Sequence, residues 1–399
     1  MLRRRLVPLA LIAVWLLTPR ADIAARGIPG KLDDAAFWRL VETSSEPGGS
    51  FPSDNFVSNE LLFQTVIPRL TTAVKPGGVY IGVGPDQNFT YIAALRPKIA
   101  FIVDIRRGNL LQHLLYKAVI ELSPTRADFL ARLFSVTKPA DAGAGITATA
   151  LIDAFAGRTS STEQFETNFR EIVDRLERVH RFALSDEDEA GLSYIYRTFA
   201  RFGPSISYAS PAGSLMPFPP GQTMVINSPY PTYGELMTAT DGQGVNRAYL
   251  ASDDNYRVLR DMHARNLIVP VVGDFAGDKA LKAIGAYIRE RGATVSVFYT
   301  SNVEQYLFQN NVWHEYYDNV ASLPLDPGAL FIRAYFPCNV ARTVTTRFGN
   351  GCAMLPNIPP SALAMRLPSA TLLAPIKGDL TAVKSGSVQQ YFDLVELSK

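Results

Sequence analysis

The chain has 399 residues, of which 47% are hydrophobic and 19% are charged. This composition supplies enough apolar side chains for a sizeable core and argues against global disorder. The formal net charge is only +2 at pH 7, and three of the arginines lie within the first five residues. The rest of the chain is therefore close to neutral, which argues against electrostatic binding of nucleic acid.

The N-terminus has the pattern of an export signal. A positive cluster at residues 3–5 precedes an apolar run of about thirteen residues, a length that suits a signal peptide better than a membrane span. Ile23 stands in the cleavage region, where a small residue is usual, so an uncleaved membrane anchor is the alternative. We therefore leave residues 1–27 out of the fold and predict an exported protein, periplasmic or extracellular, with a possible membrane anchor at its N-terminus.

Residues 28–135 alternate between helix and strand patterns. Apolar residues at helical spacing over 59–70 predict a helix, which the Pro-Gly-Gly sequence at 76–78 ends. The segments that follow are predicted, in chain order, as strand 79–81, helix 88–96, strand 99–103 and helix 109–122. This order is typical of a parallel sheet covered by helices.

The alternation lapses over residues 136–246, which we interpret as a helical and loop insertion. Apolar residues at helical spacing over 165–179 and 192–199 predict a pair of helices, and a proline-rich polar loop follows at 203–221. The sequence leaves open whether this insertion covers a site or is surface structure.

The alternation resumes over residues 247–399. The predicted segments are helix 253–265, strand 267–272, helix 278–291, strand 294–299, helix 303–320, strand 330–335 and a late strand 370–374. Together the two halves predict an α/β protein: a doubly wound, mostly parallel, Rossmann-like sheet with helices on both faces and a C-terminal extension.

Two cysteines, Cys338 and Cys352, are close enough in sequence to form a disulfide in an oxidising compartment. In the chain-entropy model such a short loop adds on the order of 3 kcal/mol of stability. Two unpaired buried thiols are an equally good interpretation, because cysteine spacing alone does not establish pairing.

A glycine-bearing turn follows the first predicted strand. Gly82 and Gly84 allow the backbone to approach a ligand at the start of the next helix. Asp104 ends the second strand about twenty residues later, where an acidic side chain binds a ribose hydroxyl in nucleotide-binding sheets. A dinucleotide fingerprint would need a third glycine at Gln87, which disfavours a dinucleotide-dependent oxidoreductase. A tight turn without a ligand is the remaining alternative.

In the order of these elements the chain resembles the class I S-adenosylmethionine-dependent methyltransferases. In that family the first strand ends in a Gly-x-Gly loop that packs against the methionine part of the cofactor, and an acidic residue at the end of the second strand binds the ribose. The matching residues are Gly82 and Gly84, followed by Pro85, and Asp104. The resemblance implies a Rossmann-like fold and S-adenosylmethionine as the cofactor.

The resemblance extends to the third and fifth strands. In the family the third strand often ends in Gly-Asp, with the acid or its neighbour facing the adenine, and here Asp274 and Phe275 follow the third strand. A Pro-Gly pair often introduces the fifth strand, as Pro327 and Gly328 do here. The implied activity is methyl transfer to an acceptor that the sequence does not identify.

Three features depart from the family pattern. Tyr80 and Ile81 stand where an acidic residue usually precedes the first glycine, the insertion between the second and third strands is long, and the fourth strand ends in Ser301 and Asn302 instead of a recognised catalytic tetrapeptide. A noncatalytic exported binding protein on the same scaffold is therefore the alternative, with a crevice above Gly84 that side chains of the insertion would fill.

Polar residues after the fourth strand are candidates for substrate recognition. Ser301, Asn302 and Glu304 lie where open α/β sheets bind small-molecule ligands, at the carboxyl edge of the strands. Alternatively, Ser301 or Asn302 caps the next helix and Glu304 faces its N-terminal dipole. The four histidines lack the spacing of metal ligands, so we predict no metal site. The sequence indicates no oligomeric state.

Overall fold

The computed structural model describes residues 27–210, 230–336 and 369–398. Within these ranges six strands form one sheet: β1 (Val79–Gly82), β2 (Ile99–Asp104), β3 (Ile268–Val272), β4 (Val295–Ser301), β5 (Leu325–Tyr335) and β6 (Ala370–Pro375). The strand order is β3-β2-β1-β4-β5-β6. Only β6 is antiparallel to its neighbour. The predicted α/β class and mostly parallel sheet are confirmed.

The central strands are short apolar runs. Every residue of β1, β2 and β3 is buried, as is usual where a parallel sheet is covered on both faces. The strand order reverses between β1 and β4. At such a switch point the connecting loops separate and leave a crevice at the carboxyl ends of the strands, where open α/β sheets bind ligands.

Helices flank the sheet. They are α1 (Asp34–Ser44), α2 (Ile67–Ala73), α3 (Gln87–Leu95), α4 (Arg107–Glu121), α5 (Arg126–Leu133), α6 (Ala148–Phe155), α7 (Thr162–Asp174), α8 (Asp186–Phe202), α9 (Tyr233–Thr238), α10 (Asp253–Ala264), α11 (Ala280–Glu290), α12 (Val303–Gln309), α13 (Trp313–Ala321), α14 (Ile376–Lys384) and α15 (Tyr391–Leu397). Helices α3, α4 and α10 pack together, while α11, α13 and α14 form a second group. This grouping is compatible with a Rossmann-like fold.

The chain between β2 and β3 contains several helices beyond the single helix that usually connects two parallel strands. The two helices predicted from its apolar spacing are α7, which continues through a π-helical turn to Val179, and α8. A capping box formed by Ser185 and Asp188 begins α8, which packs against α4 and α7. Residues 211–221 of the predicted proline-rich loop lie outside the described residues.

Several predictions differ from the structure. The single helix predicted over 303–320 is two helices, α12 and α13, because Asn311 between them adopts a left-handed backbone with φ 55°. The fifth strand begins earlier than predicted, at Leu325, through a bulged pairing with β4. The helices that were not predicted are α1, α5, α6, α9, α14 and α15.

Two sequence predictions fall on residues that the structure does not describe. These are the export signal within 1–26 and the possible pairing of Cys338 with Cys352. Among the described helices, none combines the length and the apolar character that crossing a membrane requires.

Candidate functional site

A cavity of about 450 Å³ lies at the carboxyl ends of β1, β2, β3 and β4. Its volume is within the range of small-molecule sites, roughly 300–1,000 Å³. Predicted site residues that line it are Gly84, Asp104, Asp274, Phe275, Ser301 and Asn302. The structure thus brings residues from four strand ends, far apart in sequence, to one cavity.

The turn after β1 depends on its second glycine and on Asn88. Gly84 has φ +78°, a left-handed conformation that glycine adopts without strain. The Asn88 side-chain amide donates to the carbonyls of Val83 at 2.8 Å and Pro85 at 2.7 Å. His113 Nε2 lies 2.9 Å from the carbonyl oxygen of Gly84. These protein contacts hold the turn in place at the cavity wall.

Gly82 and Pro85 were expected at the ligand, but neither is among the residues that line the cavity. A Cβ atom on Gly82 would lie 2.0 Å from Asn88 Oδ1. That oxygen already accepts a hydrogen bond from Tyr80 at 2.8 Å. The first glycine therefore makes room for the Asn88 side chain, and the structure gives it a packing role.

Asp104 ends β2 at the cavity wall and is paired with Arg106. Its Oδ1 accepts hydrogen bonds from the Arg106 backbone N–H at 3.0 Å and from Nε at 2.9 Å, and its Oδ2 accepts from Nη2 at 2.7 Å. Arg106 also donates to the backbone carbonyls of Ser53 and Asp54. A carboxylate oxygen has two lone pairs, so Oδ2 retains an acceptor position for a ligand.

The loop after β3 is organised by Glu46. Its carboxylate accepts backbone hydrogen bonds from Asp274 at 3.3 Å, Lys279 at 3.2 Å and Ala280 at 2.7 Å. This carboxylate therefore occupies the N-terminal end of α11. Asp274 Oδ1 accepts from the Ala276 N–H at 2.9 Å in a local turn, and the neighbouring Phe275 ring is buried.

At the end of β4, Ser301 and Asn302 line the cavity but Glu304 does not. Ser301 adopts φ 51°, a left-handed conformation that costs a non-glycine residue energy and often marks a functional position. Glu304 is fully buried, and it accepts hydrogen bonds from Arg333 at 2.6 and 2.8 Å and from Tyr317 at 2.6 Å. Its expected contact with substrate is therefore replaced by a structural ion pair.

Much of the remaining wall comes from a segment that the sequence analysis did not single out. Residues of the segment 50–60 that line the cavity are Ser50, Phe51, Pro52, Asn55, Ser58, Asn59 and Glu60. Residues 50–58 have no helical or strand periodicity, and the helix predicted over 59–70 begins only at Phe63 in the structure. Nothing in the pattern therefore indicates which strand ends the segment approaches. Asn55, with φ 47°, is a second left-handed residue other than glycine at the cavity, beside Ser301.

Glu60 is the least expected of these residues. It is only 1% exposed, and burial raises its pKa to about 6 against the opposing effect of hydrogen bonds from Ser301 and Tyr299. Both hydroxyls donate to Oε1. Oε2 is buried and has no hydrogen-bond partner among the described residues, and the same holds for Oε1 of Gln87.

A family model matches most of this region. It describes a domain of unknown function, DUF7790, and it matches residues 55–194 and 231–347, well over half of the chain. The chain belongs to the DUF7790 family. No curated protein matches it.

The DUF7790 match includes the strand ends that form the cavity. Glu60, Gly84, Asp104, Asp274 and Ser301 all lie within the two matched stretches, which are separated by residues 195–230. The site is therefore part of the family domain. Among the described residues, no group of three or more His, Cys, Asp or Glu side chains could hold a metal ion.

Proposed function

We propose that this DUF7790 protein binds S-adenosylmethionine or a related adenosyl compound, as a methyltransferase or a methyltransferase-derived protein. One observation carries the proposal: Gly84, Asp104 and Ser301, from the ends of three different strands, line the same cavity. The strand order supports it, because it sets the ends of β2, β1 and β4 side by side at the switch point.

In this proposal the ligand lies along the strand ends, from β3 towards β4. The turn at Gly84 takes the part of the ligand next to the sulfur, Oδ2 of Asp104 accepts a ribose hydroxyl, and Asp274 with Phe275 flanks the adenine. The reactive end then points towards Ser301 and β4. Methyl transfer between two bound reactants is achieved largely by positioning, so this assignment requires no dedicated acid or base.

Two observations weigh against the alternative functions. Gln87 lines the cavity at the position where a dinucleotide fingerprint has its third glycine. Tyr208 is the one described residue of 136–246 that lines the cavity, so the described part of the insertion does not fill the crevice as the noncatalytic alternative predicts. Because residues 1–27 predict export, a related adenosyl compound is retained beside S-adenosylmethionine as the ligand.

Calorimetric titration of residues 28–399 with S-adenosylmethionine and S-adenosylhomocysteine tests the proposal. We expect Asp104→Asn to weaken binding about tenfold or more, because a lost charged hydrogen bond costs about 1.5–3 kcal/mol. Asp188→Asn is a matched control, since Asp188 pairs with the neighbouring Arg107 and does not line the cavity.

Binding that Asp188→Asn leaves intact and Asp104→Asn weakens would support the ribose assignment. If the unmodified protein gives no heat with either compound at millimolar concentration, the proposal is wrong. If the two variants weaken binding equally, a ligand binds but Asp104 does not hold its ribose.

A further inference from the structure

The two ends of the cavity carry different charge. At the β2 end, Asp104 is neutralised by Arg106. At the β4 end, Glu60 contacts Tyr299 and Ser301, and among the described residues no Lys, Arg or His forms an ion pair with it. Neighbouring strands lie about 4.8 Å apart, so with β1 between them the two ends are separated by roughly 10 Å. We call Glu60, Gln87, Tyr299 and Ser301 the acidic corner.

Each donor group of the acidic corner makes a hydrogen bond within it. The hydroxyls of Tyr299 and Ser301 donate to Oε1 of Glu60, and the Gln87 amide donates to the Tyr299 hydroxyl at 2.8 Å. Two acceptors are left over, Glu60 Oε2 and Gln87 Oε1, and both are buried without a partner in the described residues. Glu60 is 1% and Gln87 4% exposed, and both line the cavity.

We propose that the acidic corner binds a protonated primary amino group of the ligand. An ammonium group has three donors, no acceptor and a positive charge. It therefore satisfies both free acceptors and compensates the carboxylate of Glu60, whereas buried carboxylates without a cation are unfavourable. A neutral hydroxyl has a single donor and leaves the charge unpaired.

Two molecules can carry this amino group to the corner. One is the adenosyl compound, through its own amino-acid part, and the other is a methyl acceptor that is itself a primary amine. The adenosyl source rests on the proposed function, whereas the requirement for a cationic donor at Glu60 does not. The experiment therefore has one arm for each source.

The first arm compares S-adenosylhomocysteine with its analogue in which hydrogen replaces the α-amino group. If the adenosyl ligand fills the corner, the unmodified protein prefers S-adenosylhomocysteine by about tenfold or more in calorimetry, and Glu60→Gln reduces the preference to within about twofold. Asp86→Asn is the matched control. Asp86 is also a buried carboxyl that accepts a tyrosine hydroxyl, from Tyr249, but it does not line the cavity.

The second arm titrates n-butylamine and n-butanol, with and without saturating S-adenosylhomocysteine. Binding of the amine, but not the alcohol, to the saturated protein assigns the corner to the acceptor, and Glu60→Gln should abolish it. If S-adenosylhomocysteine itself gives no heat, the proposed function has failed, and the amine titration of the free protein still decides whether the corner binds ammonium. Absence of amine discrimination in both arms, or discrimination unchanged by Glu60→Gln, overturns the inference.

A pH profile of ligand binding to the unmodified protein tests the inference even if Glu60→Gln does not fold. Ammonium binding should weaken as the pH falls through about 6, because burial raises the pKa of Glu60 to about 6 and the neutral carboxyl loses its attraction. Four buried tyrosines interact electrostatically with Glu60: Tyr80, Tyr91, Tyr299 and Tyr391. Burial raises the pKa of each phenol, so none of them titrates in this range. Two other carboxyls have raised pKa values near this range: Asp86, at about 7, and Asp379, at about 6, which pairs with Arg333 and does not line the cavity. Asp86→Asn removes the first of them, and a flat profile in that variant would contradict the inference.

Discussion

Asp86 is a carboxyl group held in the core directly after the glycine turn. It is 2% exposed, and Oδ2 accepts a hydrogen bond from Tyr249 at 2.9 Å. The Tyr249 hydroxyl also lies 2.7 Å from that of Tyr233. Burial raises the pKa of Asp86 to about 7, and the Tyr249 hydrogen bond opposes this effect. The folded protein therefore favours the protonated carboxyl at a pH where the unfolded chain is ionised.

This shift predicts a pH-dependent cost to stability. A raised folded-state pKa contributes stability that is present below the unfolded pKa of about 4 and is lost as the pH rises towards 7. Asp86→Asn keeps the shape of the neutral carboxyl but does not ionise. The difference between its free energy of unfolding and that of the unmodified protein should therefore increase between about pH 4 and 7, by about 4 kcal/mol at most. Urea denaturation at a series of pH values measures the difference.

Comparing the two proteins at each pH isolates Asp86. His113 and His263 also titrate, because burial lowers the pKa of His113 to about 4 and that of His263 further. Their neutral forms add stability as the pH rises towards 6.5, but they do so in both proteins and cancel. A difference between the two unfolding free energies that stays constant with pH would exclude the proposed burial effect.

At the scale of elements, the cavity wall depends on a segment without regular structure. Arg106, one residue before α4, donates to the backbone carbonyls of Ser53 and Asp54. The backbone N–H of Gly49 donates to the carbonyl of Ile105 at 2.7 Å. The segment 50–60 is thus attached to the end of β2 by contacts that the Arg106 guanidinium and the neighbouring backbone provide.

Removing that guanidinium should loosen the segment without unfolding the sheet. We expect Arg106→Ala to speed hydrogen exchange of the amides in 50–56 by about tenfold or more, the result of losing about 1.4 kcal/mol of local stability. Arg107→Ala is the control, because Arg107 pairs with Asp188 instead. Mass-spectrometric exchange measures both. Equal protection of the segment in the two variants would show that its other contacts hold it without the guanidinium, among them the hydrogen bond from the Gln112 amide to the Phe56 carbonyl.

The sequence was sufficient to locate the four strands whose carboxyl ends form the cavity. Strands β1 to β4 begin and end within about two residues of their predicted bounds, because short apolar runs between glycine or proline turns are distinctive. The helix break at Asn311 and helices α14 and α15 were missed. The two helices pack against the sheet: α14 contacts β5 and β6, and the Tyr391 hydroxyl of α15 donates to the Ala334 carbonyl of β5. Local periodicity does not record such tertiary contacts.

At the scale of the whole molecule, sequence patterns report local structure but not tertiary contacts, and this explains which site residues were predicted. Gly84 and Asp104 follow strands directly, so strand prediction was enough to place them. Glu60 was missed because it reaches β4 across 241 positions of sequence, through Ser301. Glu304 was misassigned because its partner, Arg333, lies a further 29 positions along the chain. Pairings at such distances follow from the completed fold and have no local signature.

Arg333 joins the family domain to the C-terminal elements. It is fully buried on β5, and it donates to Glu304 of α12, to Asp379 of α14 at 2.7 Å and to the Leu394 carbonyl of α15 at 3.3 Å. The DUF7790 match ends at residue 347, before α14 and α15 begin. One guanidinium therefore connects the matched domain to elements beyond it.

Arg333→Met should destabilise the protein by about 3–5 kcal/mol, because it leaves the buried carboxyls of Glu304 and Asp379 without a cation. The matched exposed pair is Arg178 with Asp174, where Arg178→Met should cost no more than about 1 kcal/mol. Adding Glu304→Gln and Asp379→Asn to Arg333→Met should restore much of the lost stability, since no buried charge is then unpaired. Urea denaturation of the four proteins tests this, and a triple variant less stable than Arg333→Met would mean that packing volume, not unpaired charge, sets the cost.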